Sequence, residues 1–146
     1  LLTDIEAFDS TIHFHDGYFW LFCTIKKSLG ASTDDNLYLF RSRDFLAGDW
    51  QPHSNNPVIS DPAIARPAGR VFIHNNILYR PSQICVPRYG YGLSLNRILE
   101  LSESSYKEEK VSEVLPNWRN DLLSVHTFNF SEDITFIDGQ LKRLRF

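Results

Sequence analysis

The residues of this sequence best suited to chemistry fall into two groups. The first lies in the segment ARPAGRVFIHNNILYRPSQICVPRYGYG, Ala65–Gly92, where Arg80, Gln83, Arg88 and Tyr89 follow one another at short spacing. Guanidinium and carboxamide groups are planar donors, and beside aromatic rings they suit bidentate hydrogen bonding and stacking on a sugar or an anion. The same residues suit a structural task equally well, with tyrosines packed between sheets and Arg80 satisfying buried carbonyls. The second group is Asp9, Arg66 and His126, which stand at matching positions at the start of three similar segments. A carboxylate, a guanidinium and an imidazole meeting in one pocket would hold sugar hydroxyls, a carboxylate or a phosphate. The alternative is that Asp9 and His126 cap strand ends and Arg66 makes a structural ion pair.

Other candidates carry less. His13 and His15 alternate on one strand, with His74 the counterpart of His15, but no Cys or carboxylate pattern accompanies them, and neither a metal nor a cofactor is expected. Gly90 and Gly92 flank Tyr91 without the strand-to-helix context of a phosphate loop, and no serine sits in a nucleophile-elbow motif. The acidic run SESSYKEEK reads as a solvated loop. Cys23 and Cys85 are too few for a disulfide scaffold and read as buried free thiols, with a disulfide between them as the alternative.

The elements that must position these groups are strands. At 146 residues, 42% hydrophobic and 14% aromatic, the chain holds enough apolar surface for one domain with a core. A net charge of −3, with fifteen Lys and Arg scattered rather than striped, argues against nucleic acid as a partner. No apolar run approaches the roughly 20 residues of a membrane span, and LLTDIEAFDS lacks signal-peptide character, so the chain reads as soluble. Runs such as YFWLFCTI, NLYLFRS, RVFIH and ITFIDG are rich in β-branched and aromatic residues and are separated by turn residues, which predicts an all-β chain.

The strands repeat. TIHFHDGYFWLF, starting at Thr11, matches RVFIHNNILYRP, starting at Arg70, and TFNFSEDITFID, starting at Thr127, gives a third copy. Each copy is an apolar strand, a two-residue turn (Asp16-Gly17, Asn75-Asn76, Glu132-Asp133) and a second strand. A hairpin recurring at nearly constant spacing, with two further strands between copies, predicts one four-stranded sheet per repeat, as in a propeller blade. The expected units are a blade over 5–60, a blade over 65–120 and a closing hairpin over 124–140, with Trp50 and Trp118 closing the two blades. A β-sandwich of hairpins is the alternative. Two blades and a hairpin do not close a ring of typically about 4 to 8 blades. Upstream sequence or a second copy of the chain is therefore expected to complete it, and homodimerisation is one prediction.

WLF, RSRDFLAGDWQPHSNNPVIS, ARPAGRVF with LYRPSQICVPRYGYGL, and SVHTFNF together resemble the propeller domain of the glucosamine inositolphosphorylceramide transferases and of bacterial formyltransferase-like proteins. That domain is similar in turn to the five-bladed propellers of arabinanase- and xylosidase-type glycoside hydrolases. The resemblance implies a partial five-bladed propeller, corresponding to its last blades, three to five. It implies a carbohydrate-binding or glycan-processing accessory domain whose partner is a glycan or small anionic sugar. The alternatives are a glycosidase or glycosyl-transfer enzyme completed by other blades or a second subunit, and a structural or interaction domain. It would set Asp9, the candidate catalytic residue, where the hydrolases carry the aspartate that orients their acid. Their general-acid glutamate has no counterpart in IARPAG, and Asp61, the nearest carboxylate, begins an Asp-Pro turn. Since glycoside hydrolysis needs two carboxylates, the standard mechanism is not expected from this chain.

Overall fold

The computed structural model of the chain describes residues 2–26 and 28–143. Among the described residues there is no helix, and the strands form antiparallel sheets. Strands β1 (Ala7–His15), β2 (Tyr18–Ile25), β3 (Asn36–Ser42) and β4 (Gln51–Pro52) pair in chain order, and the short β5 (Ile59–Ser60) also pairs with β3. Strands β6 (Phe72–His74), β7 (Ile77–Ile84), β8 (Gly92–Leu101) and β9 (Tyr106–Val114) form a second meander of four. A third hairpin follows, β11 (Phe128–Ser131) with β12 (Ile134–Ile137), while β10 (Leu122–Ser124) pairs with β13 (Gln140–Leu141).

Local chemistry sets the three repeated hairpins. Their registers close on His15↔Tyr18, His74↔Ile77 and Ser131↔Ile134, leaving two residues in each turn. In the first two turns both central residues have positive φ: 48° and 77° at Asp16-Gly17, 50° and 60° at Asn75-Asn76. Asp, Asn and Gly tolerate that geometry, whose twist matches the flanking strands.

Alternation along β2 and β3 then assigns side chains to two faces. Trp20, Phe22, Leu37 and Leu39 pack with Ala65, Val71 and Ile98 of the second unit. Leu21, Cys23, Tyr38, Phe40 and Trp50 form a separate cluster on the opposite face. A third cluster joins Ala68 and Leu93 to Leu122, Val125 and Phe128, so the second sheet is covered by the first sheet on one side and by the C-terminal hairpin on the other. This side-by-side order of sheets is consistent with a partial propeller. Both cysteines are free and buried, and burial pushes the Cys23 thiol up to about 12.

The W-x-P-H-x-x-N-P run has a scaffold role. Asn56 Oδ1 accepts the Leu39 N–H at 2.9 Å and its Nδ2 donates to the Leu39 carbonyl at 2.7 Å, standing in for a strand partner. Two expectations need correction. Trp118 does not close the second sheet as buried Trp50 closes the first; it is 54% exposed, because β9 already completes the edge at Val114. Nor is SESSYKEEK wholly solvated. Its second half is the start of β9, and strand alternation turns Glu108 inward, with its side chain 4% exposed, while Lys107 and Glu109 face out.

Candidate functional site

Three chain segments converge at one end of the inner strands: Asp9 to Thr11 of β1, Pro67 to Arg70 ahead of β6, and His126 to Asn129 entering β11. Between them lies a cleft of about 360 Å³ whose wall also includes Gln83 of β7. A second cleft, of about 420 Å³, continues along the same strands and is lined by His13, Arg70, Phe130, Glu132 and Asp133 among others. The first strand of each hairpin thus contributes to both openings, as strands gathered around one axis should.

Asp9 reaches the cleft through a β-bulge. The β1–β2 register shifts between Phe8 and Thr11, and Asp9 takes φ 49°, a conformation that costs energy for a residue with a Cβ and that marks functional sites more often than ordinary strands. Its Oδ2 accepts from Arg66 Nε at 2.5 Å and from Gln83 Nε2 at 3.0 Å. Arg66 is buried and extends the cluster, donating through Nη1 to Thr33 Oγ1 at 2.7 Å and Asp34 Oδ1 at 2.6 Å. Burial works against the Arg66 charge, but the bonds to Asp9 and Asp34 outweigh it and raise its pKa. Arg66 is held in turn by β7, where Gln83 N donates to the Arg66 carbonyl at 2.8 Å. Gln83 Nε2 also donates to the Pro67 carbonyl at 3.1 Å, which fixes the orientation of its amide.

An aromatic surface adjoins this cluster. The Arg66 guanidinium lies 4.7 Å from the centroid of the Tyr89 ring, which is 51% exposed and meets the His126 ring edge-on at 6.2 Å. Asp138 orients His126. Its Oδ1 accepts the backbone N–H groups of His126 at 3.0 Å and Thr127 at 2.7 Å, and its Oδ2 pairs with His126 Nδ1. Gly90 follows Tyr89 with φ 60°, and a Cβ there would stand 3.0 Å from His126 Cβ, so glycine keeps the loop against the imidazole.

Asp9, Arg66, Gln83, Tyr89 and His126 are therefore brought together. Arg80 and Arg88 are not. Arg80 is fully buried away from the cleft, with Nε and Nη2 on Glu108 at 2.8 and 2.6 Å and further bonds to the carbonyls of Ile64 at 2.6 Å and Ala65 at 3.3 Å. The expectation of a ligand contact there is corrected by register: β7 pairs Arg80 with Asn96 in the sheet interior. Arg88 donates to the Leu123 carbonyl and lies 4.9 Å from the Tyr91 ring centroid, outside the cleft lining. Asp61 is a turn residue, its Oδ1 accepting Ala63 N at 2.8 Å. Among the described residues lining the upper cleft, Asp9 is the sole carboxylate.

Sequence reasoning missed Thr33, Asp34, Arg70, Asn129 and Asp138. Thr33 and Asp34 lie in the β2–β3 connection, where no repeat pointed to them. Asp138 had one legible signal, since it immediately precedes Gly139 in the third copy.

Residues 1–127 match the family described as glucosamine inositolphosphorylceramide transferase 1, N-terminal. The chain is 35% identical over 105 residues to glucosamine inositolphosphorylceramide transferase 1 of Arabidopsis thaliana, covering 70% of this chain and 14% of that protein. It is 36% identical over 114 residues to the protein of the same name from Oryza sativa subsp. japonica, covering 77% of this chain and 15% of that protein. The chain thus spans about one seventh of the length of these relatives. No solved structure matches it.

Proposed function

The chain belongs to the glucosamine inositolphosphorylceramide transferase 1 N-terminal family, and from that premise we propose that it is a carbohydrate-recognition unit of a glycan-processing protein, with the upper cleft as its sugar site. One observation carries the proposal: Asp9, Gln83 and His126, from three separate strands, line one cleft, and each is already oriented by a neighbour. Polar groups held in place before the ligand arrives lose little entropy on binding. Asp9 Oδ2 is occupied by Arg66 and Gln83, and the remaining oxygen is an acceptor for a ligand hydroxyl. The exposed ring of Tyr89, beside Arg66 and His126, offers an apolar face for a pyranose.

The enzymatic reading is weaker. Asp9 is gripped as an anion by Arg66, which suits orientation of a ligand and not donation of a proton, and the cleft supplies no second carboxylate among the described residues. The five-bladed ring and its completion by further strands or a second copy remain part of this proposal, because β12 pairs on one edge alone and leaves Phe136 and Ile134 exposed.

Calorimetric titration of the protein with neutral and acidic hexoses and pentoses, and with disaccharides built from them, tests the reading. At least one should give a saturable isotherm, and Asp9→Asn and His126→Ala should each weaken it by about tenfold, the effect of losing one charge-assisted hydrogen bond. A silent panel, or binding unchanged in both variants, would overturn it.

A further inference from the structure

Both clefts share one cation. Arg70 lines the upper cleft beside Asp9 and His126 and the lower one beside His13. It is unlike the other arginines of this region. Arg66 is bound to Asp9, Asp34 and Thr33, Arg80 to Glu108 and two carbonyls, and Arg88 to the Leu123 carbonyl. Arg70 makes no ion pair among the described residues, although Glu132 and Asp133 line the lower cleft with it.

Its backbone is nonetheless fixed. Arg70 N donates to Asn129 Oδ1 at 3.1 Å, and the preceding Gly69, at φ 144°, lies so close to β11 that a Cβ there would stand 2.0 Å from the Phe128 carbonyl oxygen. Phe128 N donates to the Ala68 carbonyl at 2.7 Å, so the segment carrying Arg70 is laced to the third hairpin on both sides of Gly69. The positive charge is felt along the axis: burial, His15 and Arg70 together lower the pKa of His13. An unpaired guanidinium on an anchored backbone, within the same cleft as an acceptor carboxylate, is an arrangement for a ligand with hydroxyls at one end and an oxyanion at the other.

We propose that the sugar taken by this cleft is acidic, with its hydroxyls toward Asp9 and its carboxylate or phosphate on Arg70. The inference rests on the sugar-site reading above and adds the ligand's charge to it. Arg66 does not fill this role, since its donors toward the cleft are already satisfied by Asp9 and Asp34.

Matched probes separate the two claims. D-Glucose, D-glucuronate and D-glucose 6-phosphate differ at C6, and D-galactose, D-galacturonate and D-galactose 6-phosphate repeat the comparison in a second configuration. Each is titrated calorimetrically into the wild-type protein and Arg70→Gln. At least one oxyanionic sugar should bind about tenfold or more tightly than its neutral partner, and Arg70→Gln should abolish that preference while leaving neutral-sugar affinity within about twofold. Whether the uronate or the phosphate ester leads identifies the anion. Equal affinity for neutral and acidic partners, or a preference that survives in Arg70→Gln, overturns the inference and leaves the sugar site standing. Failure of all six to bind, where other neutral sugars do bind, overturns the inference alone; failure of every sugar overturns both.

Discussion

Glu108 offers the most direct test of how charge is used inside this fold. Its side chain is nearly buried on β9 and receives Nε and Nη2 of the wholly buried Arg80 at 2.8 and 2.6 Å, and the Tyr106 hydroxyl donates to it as well. Replacing Glu108 by Ala strands a guanidinium that water does not reach, with the carbonyls of Ile64 and Ala65 as its remaining acceptors. Breaking a buried pair in this way costs about 3–5 kcal/mol. Domains of this kind are stable by about 5–15 kcal/mol in all, so the loss is a large fraction of the whole. With a urea m-value of about 2 kcal/mol/M, the unfolding midpoint should fall by about 2 M. Glu108→Gln, which keeps the shape and one acceptor, should lose about half as much. The double variant Arg80→Met, Glu108→Leu removes both charges and should recover at least half of the deficit. Burial opposes the Arg80 charge, but the Glu108 charge and hydrogen bonds overcome it and raise the pKa in the folded state. A raised folded pKa stabilises fully at every pH below the unfolded value, so the deficit should be constant from about pH 6 to about pH 9. Urea denaturation followed by tryptophan fluorescence measures all of this. A loss below about 1 kcal/mol in Glu108→Ala, or a double variant no more stable than the single, would refute the reasoning.

Two further predictions follow from the inner strands. Gly69→Ala places a Cβ against the Phe128 carbonyl oxygen at 2.0 Å and in a backbone region that suits glycine, so it should cost at least about 3 kcal/mol and release β11 from the second sheet; amide exchange of Phe128 reads the second effect. His13 has its pKa lowered from 6.5, first by burial and then by His15 and Arg70. The unfolded chain therefore binds more protons than the folded one as pH falls below 6.5, and stability is full above that value and declines beneath it. His13→Gln should flatten this decline between about pH 7 and about pH 5, and the imidazole resonance should titrate higher in Arg70→Gln than in wild type. An imidazole that titrates at or above its ordinary value in the wild-type protein contradicts both statements.

The legible part of this chain was local. Asp16-Gly17, Asn75-Asn76 and Glu132-Asp133 are two-residue turns whose flanking strands alternate, and turn chemistry and alternation are properties of neighbouring residues. Once three copies were aligned, the meeting of Asp9 with Arg66, and the placing of His126 beside Tyr89, followed from the repeat. What stayed hidden depended on which face of a strand a polar residue takes. Arg80 and Arg88 looked alike in LYRPSQICVPRYG, yet β7 turns the first inward to a glutamate 28 residues away, in a run that composition alone marks as solvated. Arg70 was passed over for the same reason: a single arginine before an apolar strand carries no signal until its neighbours' partners are known. Pairing decides the matter. Arg80 secures the Ile64 and Ala65 carbonyls directly ahead of Arg66, Arg66 secures Asp9 and Asp34, and those commitments leave the guanidinium of Arg70 as the charge the cleft holds for something other than itself.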